Sequence, residues 1–369
     1  MAKVLNIKKS VNEGFKEFLE YLLKNGKVKG ILTLLKHSNN GNASYSLVTS
    51  SDLIKDALPF SPMMPSNAAN ILSKITLLGP VAEPIAVVVR PCELRAFIEL
   101  VKRNQGNMEN IFFISSTCGG VYPIEMTING KINEKIRDYW EFIKKNEINS
   151  DLRPTCNACE EFVPYNADMT VSLIGNSNID NMCTIFLNTD RAVDFAKDAE
   201  GEIIEGEIDI EKINELREKR AEEKVKLFDE KKIEEFSLDG LIEIFGRCIG
   251  CHACGSACPI CYCSLCHFDS KDSEYKPYDY VSELDKKGAV RIPTNTILYQ
   301  VGRLLHVGIS CVGCGSCADV CPSDIPLSTI FLKVGGTVQK TFDYTPGKDT
   351  EEPLPILTFN PEEFSEIET

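Results

Sequence analysis

The sequence has no long apolar run. Across 369 residues the longest uninterrupted one spans residues 85–89, far short of the roughly 20 residues that a membrane-crossing helix needs. Positive charge is in deficit: 40 Lys and Arg face 54 Asp and Glu, a net charge of −14. That balance argues against a nucleic-acid backbone or an anionic membrane surface as the main partner. Residues 1–10 lack the apolar stretch of a signal peptide. Histidine and tryptophan are scarce too, at four and one, beside which 16 cysteines stand out. A disulfide scaffold is one use for so many thiols. A chain this long, 43% apolar, has core enough for one large or two ordinary domains and rarely needs such a scaffold. The clustering of the cysteines decides their role.

Three stretches differ in composition. Up to about Asp190, short apolar runs alternate with amphipathic ones. Phe15, Phe18, Leu19, Leu22 and Leu23 recur at helical spacing, and Asn25-Gly26 would end that helix. Residues 28–35 then read as a strand. Ser66 can cap a helix carrying Ile71, Leu72 and Ile75. A buried strand over residues 84–90 follows, then a helix over 92–103 and a strand over 110–116. This alternation predicts an α/β domain with a largely parallel sheet over residues 1–190. Residues 191–240 are about half charged with both signs interleaved, and read as a solvated helical connector. Residues 241–345 hold most of the cysteines and read as a second, mainly α unit. Residues 346–369 read as an acidic tail, a loose arm or a partner contact.

Cys248, Cys251, Cys254 and Cys258, the last followed by Pro259, have the spacing C-x2-C-x2-C-x3-C-P. Cys311, Cys314, Cys317 and Cys321, followed by Pro322, repeat it without a change. This is the iron–sulfur run of two-cluster ferredoxins. Three cysteines in a tight loop reach three corners of a [4Fe-4S] cube, and the fourth turns toward the other cluster. One cluster then takes Cys248, Cys251, Cys254 and Cys321, and the other Cys311, Cys314, Cys317 and Cys258. Gly250, Gly313 and Gly315 keep side chains off backbone that must wrap closely. Structural zinc shows separated C-x2-C pairs instead, and disulfides need an oxidising compartment. The gap between the runs holds a predicted helix over residues 294–305. With Leu304-Leu305-His306-Val307-Gly308 before Cys311 and Cys321-Pro322-Ser323-Asp324-Ile325-Pro326 after it, the segment resembles the α-helical ferredoxin modules of respiratory and heterodisulfide-reductase-type subunits.

Other cysteines are less plainly marked. Cys261, Cys263 and Cys266 suit a lone metal site, spare ligands, or reduced thiols packed near a cluster. His252, His267 and His306 read as packing or hydrogen-bonding partners near sulfur. Cys183, in an apolar stretch, reads as a buried free thiol. Cys92 and Cys118 each follow a strand of one β-α-β unit, so both emerge at the carboxyl edge of the sheet, where α/β folds place ligands. Cys156 and Cys159 offer two more thiolates. Four such cysteines suffice for one cubane, with structural zinc and unligated thiols as the alternatives on spacing alone.

The stretch Arg90-Pro91-Cys92-Glu93-Leu94-Arg95 resembles a strand-to-helix turn of the beta subunits of coenzyme F420-reducing hydrogenases and formate dehydrogenases. Residues 114–120 are similar to that family's strand ending in Cys. Cys156-Asn157-Ala158-Cys159, followed by Ala167-Asp168-Met169 and Gly175, resembles its C-x2-C stretch and the segment after it. Residues 60–72 are similar to its Ser-Pro segment leading into a helix, so that the likeness covers about residues 10–200. Cys258-Pro259-Ile260-Cys261-Tyr262-Cys263 looks most like the formate dehydrogenase branch. The family's N-terminal Ser-x-Gly-Gly flavin turn is reduced here to Ser10-Val11-Asn12-Glu13-Gly14.

The resemblance implies FAD in the α/β domain and a third [4Fe-4S] cluster on Cys92, Cys118, Cys156 and Cys159. It also implies hydride exchange with the 8-hydroxy-5-deazaflavin coenzyme, with NAD(P)H as the alternative carrier. A flavin converts two-electron to one-electron transfer, which is what clusters need from a hydride carrier. No acid–base dyad is required. Ser66, Asn67 and Asn70, at a helix start, and Gly175 and Asn176, after a strand, are the candidate flavin contacts, each with ordinary capping or turn formation as its plain alternative. Arg90 and Arg95 either meet an anionic coenzyme or pair with acidic neighbours. The expected partner is a catalytic formate dehydrogenase or hydrogenase subunit, or a heterodisulfide-reductase-type subunit, in an anaerobic cytoplasm. A flavin-free electron-transfer adaptor and a zinc-binding scaffold are the competing readings.

Overall fold

Short runs of β-branched and aromatic residues build eight strands in the computed structural model, which describes residues 2–37, 42–128, 132–230 and 238–358. They are β1 (Ala2–Ile7), β2 (Gly30–Lys36), β3 (Ala43–Val48), β4 (Ile85–Val88), β5 (Ile111–Ser116), β6 (Met169–Val171), β7 (Cys183–Leu187) and β8 (Glu202–Gly206). All lie in one sheet ordered β3-β2-β4-β5-β6-β7-β1-β8. Its centre is parallel, β2 through β6. Both margins are antiparallel, so the largely parallel sheet expected from the sequence is in fact mixed. The reason is the length of the connections. A parallel pair needs a crossover such as the helix between β4 and β5, whereas the links joining β2–β3 and β6–β7 are too short for one.

Seven helices matter for the site: α1 (Val11–Lys24), α2 (Ala68–Thr76), α3 (Pro91–Lys102), α4 (Ile132–Lys145), α5 (Ile210–Glu230), α6 (Thr296–Val307) and α7 (Leu327–Thr341). Alternation along the central strands divides the core between two faces. Ala86, Val88, Phe112 and Ile114 face one side, where α1 buries Phe15, Phe18, Leu19 and Leu22. Ile85, Val87, Ile111 and Phe113 face the other, where Leu72 of α2 and Phe97 of α3 pack. The cysteine-dense segment joins this second face: Phe245, Tyr299, Ile330 and Phe331 belong to the same apolar cluster as α3. The second unit therefore shares its core with the first.

Two readings of the charged stretches are corrected. Within residues 191–240, β8 is an edge strand of the sheet and α5 buries Ile213, Leu216, Arg220 and Leu227. A row of i, i+3, i+7 and i+14 positions thus meets the domain, which a high density of charge conceals. Residues 231–237 lie outside the described residues. The supposed loose arm is held along its first part. The carboxylate of Glu99, fully buried on α3, accepts from the Tyr344 hydroxyl at 2.5 Å and the Gly347 amide at 2.8 Å. Leu354 is buried as well, while residues 359–369 lie outside the described part.

Candidate metal centres

β4 and β5 are parallel neighbours with α3 between them, so their carboxyl ends open on one edge. Arg90 caps α3 and puts Cys92 in its first turn, with Cys118 just past β5. Cys156 and Cys159 bracket the end of a short helix, Pro154–Asn157, and the Cys159 amide donates to the Cys156 carbonyl at 3.2 Å. All four cysteines line one cavity of about 410 Å³, open solvent included. Gly120 leaves room there. Its φ is +103°, and an added Cβ would come within 3.1 Å of the Cys156 Cβ. Burial pushes the Cys156 thiol up to about 12 and Cys92 well above the ordinary thiol value. As free groups these are neutral, and a metal must displace their protons.

A second cavity, again about 410 Å³, is lined by Cys258, Cys311, Cys314 and Cys317. This is one of the two crossed sets expected from the repeated motif. Burial raises Cys258 to about 12 and Cys311 to about 11. Of the other set, Cys248 and Cys254 stand together against Gln300, whose amide nitrogen lies 3.6 and 3.7 Å from their sulfurs. Cys251 is exposed, and Cys321 is half-buried and lines neither cavity. All 16 cysteines are free thiols. Cys183 lies on β7, fully buried and pushed by that burial to about 12. Cys261 is half-buried near Arg303, Cys266 is half-buried and Cys263 is exposed. His252 stacks on Tyr299 at 4.1 Å and shares a 2.6 Å hydrogen bond with Asp269; His267 meets Phe268 edge-on. His306 is exposed on α6.

Three arginines that sequence reasoning missed surround these thiols. Arg220 reaches in from α5, donates to the carbonyls of Cys118, Gly119 and Cys159 at 3.2–3.4 Å and lies over Phe162. Arg303 donates to the Cys254 sulfur at 3.1 Å and lines the second cavity. Arg153 donates to the Cys314 carbonyl at 3.0 Å and pairs with Asp319 at 2.5 Å. The Nε of each, and the Thr155 hydroxyl on the wall of the first cavity, are buried without a hydrogen-bond partner among the described residues. Orphaned buried donors are rare. No group of three or more His, Cys, Asp or Glu among the described residues is set to hold a single metal ion. Thiols with the unpaired donors of Arg220, Thr155 and Arg303 at the cavity walls fit a larger sulfur-bearing group, whose sulfides accept hydrogen bonds. In the sequence, Arg220 is one charge among many, and nothing in its spacing singles it out.

The candidate flavin contacts are dispersed. Asn67, not Ser66, caps α2, its side chain accepting from the Ala69 amide, and its Nδ2 is buried without a partner among the described residues. Ser66 is exposed. Asn70 donates to the Ala257 carbonyl at 3.5 Å. Gly175 turns at φ +85° against Asp209, and Asn176 ties its own loop through the carbonyls of Ser172 and Met182. Arg90 is internal, bonded to Glu93, Tyr45 and the carbonyls of Ser61 and Met63. Arg95 binds the Pro346 carbonyl and, with Lys224, lines an open cleft of about 690 Å³ that also touches Cys159 and Cys311. Ser10 caps α1 through the Glu13 amide, and Gly14 packs on Cys183.

A mixed α/β sheet carrying thiol-lined cavities, fused to a helical segment with a doubled cysteine run, has the make-up of an oxidoreductase subunit. Residues 82–216 match the family model that describes the C-terminal part of the coenzyme F420 hydrogenase/dehydrogenase beta subunit. The chain is 30% identical over 369 residues to the F420-dependent formate dehydrogenase subunit beta of Methanocaldococcus jannaschii, covering 90% of this chain and 91% of that one. It is 28% identical over 382 residues to F420-dependent formate dehydrogenase 1 subunit beta of Methanococcus maripaludis, with 90% of each covered. Among solved structures, a chain of the F420-reducing [NiFe] hydrogenase complex from Methanosarcina barkeri superposes with a TM-score of 0.45 at 13% identity, covering 65% of this chain and 94% of that one. The chain belongs to the family of coenzyme F420 hydrogenase/dehydrogenase beta subunits. No helix among the described residues is long and apolar enough to cross a membrane.

Proposed function

We propose that this chain is the electron-transfer beta subunit of a cytoplasmic oxidoreductase complex, carrying FAD and three [4Fe-4S] clusters. It would serve the deazaflavin coenzyme F420 on one side and a catalytic formate dehydrogenase, hydrogenase or heterodisulfide-reductase-type subunit on the other. The observation that carries the reading is the convergence of Cys92, Cys118, Cys156 and Cys159 on one cavity, which abuts the cavity of Cys258, Cys311, Cys314 and Cys317. Cys92 and Cys159 lie far apart in sequence, so their meeting is a property of the sheet edge. Cys248, Cys251, Cys254 and Cys321 would hold the remaining cluster.

When bound, FAD exchanges hydride with the coenzyme and single electrons with the clusters. The residues of this chain would position it. The cleft beside Cys159 and Cys311 is lined by Arg95 and Lys224 together with Glu160 and Glu161, and Lys224 is paired with Glu160 at 2.9 Å, so its charge is balanced. Ser66, Asn67, Asn70, Gly175 and Asn176 remain candidate contacts, of which Asn67 retains an unpaired buried donor among the described residues.

Iron, sulfide and flavin analysis on anaerobically purified protein tests this. About twelve irons per chain, with acid-labile sulfide and released FAD, is the expected result, and about eight would remove the third cluster. Reduced F420 should bleach the flavin absorption anaerobically; bleaching by NAD(P)H alone would change the carrier. A second reading, a flavin-free adaptor, is favoured by the N-terminus, where Ser10 serves as a helix cap and Gly14 packs against Cys183. Iron without FAD after denaturation would select it.

A further inference from the structure

We infer that the three centres stand in a fixed order, with the Cys258–Cys311–Cys314–Cys317 centre in the middle, and that Arg153 is the positioning residue for its gap to the Cys92–Cys118–Cys156–Cys159 centre. The inference deepens the reading above and rests on it.

The cavity walls carry the order. Gly313 and Cys314 line both cavities, so a single stretch of backbone forms the partition between them. On the opposite side, Arg303 lines the Cys314 cavity while its Nη1 lies 3.1 Å from the Cys254 sulfur. Cys254 shares Gln300 with Cys248. The middle centre thus has one neighbour past Cys314 and the other past Arg303. Each transfer moves one electron, so one centre loses what its neighbour gains, and no bond or proton is involved.

Arg153 holds the first gap from both ends. Its amide donates to the Val121 carbonyl at 2.9 Å, and its own carbonyl accepts from the Cys156 amide at 2.8 Å. Its guanidinium, 2% exposed, donates to the Cys314 carbonyl at 3.0 Å and the Met64 carbonyl at 3.1 Å, and pairs with Asp319 at 2.5 Å. One residue therefore ties the turn of one cysteine set to the loop of the other. The seam is close-packed: a Cβ on Gly315 would lie 2.7 Å from the Thr155 hydroxyl and 3.0 Å from the Arg153 Cδ. An ammonium cannot reproduce these planar, forked contacts. A loosened seam lengthens the gap, and electron tunnelling falls steeply with distance.

The test uses anaerobically purified full-length chain, reduced with dithionite, with magnetic coupling between clusters read by electron paramagnetic resonance and iron counted on the same sample. Cys258→Ala removes the middle centre, and the two that remain should be uncoupled. Cys248→Ala removes an end centre, and the remaining pair should stay coupled. The reverse pattern overturns the order. Arg153→Lys, and the pair Arg153→Met with Asp319→Leu, which leaves neither charge buried alone, should keep full iron. Both should weaken coupling and slow transfer after flash reduction by roughly tenfold or more. Unchanged coupling and rate at full iron overturn the role of Arg153. About eight irons in the unsubstituted chain would instead sink the reading on which the inference stands.

Discussion

In the sheet, every residue of β4 and β5 is buried, whereas the helix Pro277–Lys287 of the cysteine-dense segment buries none. Leu265, Ile292 and Leu305 of that segment are at least 74% exposed, while Phe112 in β5 is fully covered. The two regions have the same kinds of residue and different means of cohesion. One is held by interdigitated side chains on both faces of a sheet, as ordinary interiors are. The other adds to its share of that core several short helices strung around thiols, and under the proposed reading its organisation would draw on what the thiols bind.

That contrast can be broken or sharpened by experiment. The largest effect should come from stripping iron anaerobically with a chelator. Structural metals in small domains contribute on the order of 10 kcal/mol to folding, so amide protection over about residues 241–340 should collapse while β4 and β5 stay protected. Equal loss in both regions would erase the distinction. Phe112→Ala removes a ring that packs on Phe195 at 4.6 Å between centroids. It should cost about 3–5 kcal/mol in denaturant unfolding of the sheet, with little change in iron content. Gly347→Ala is next. Gly347 turns at φ +66° with the Arg95 carbonyl 2.3 Å from where a Cβ would sit. Left-handed backbone alone costs about 1–2 kcal/mol there, and faster proteolysis beyond Asp343 would report the freed strap. Smallest is Thr189→Ala, which deletes the cap of the helix Asp190–Ala196. A loss of about 1 kcal/mol in thermal unfolding is expected.

How much was legible follows from the range of the interactions. The β4–α3–β5 unit and α1 could be read from local periodicity because each has its core-facing pattern written within a dozen residues. The doubled cysteine run was legible for the same reason. The place of β1 was not, since β1 pairs with β7 and β8, which lie nearly 180 residues or more downstream. Arg153 and Arg220 escaped because their meaning lies wholly in what distant loops bring to them. The cap of α2 moved by one residue, from Ser66 to Asn67, as cap positions do when adjacent residues are both competent. Composition misled in the charged stretch, where α5 presents Leu216 and Arg220 to the interior.

The return of Tyr344 and Gly347 to α3 has a bearing on repair. The cysteine-rich stretch is moored to the same platform upstream through α5 and downstream through this strap, so it behaves as a closed loop and not as a dangling arm. Were oxygen to strip the inorganic contents proposed for it, the slackened loop would stay tethered beside its docking face, and regaining the fold would be an encounter within one molecule at high local concentration. On that reading, refilling with iron and sulfide would proceed in place, without the protein having to be made anew.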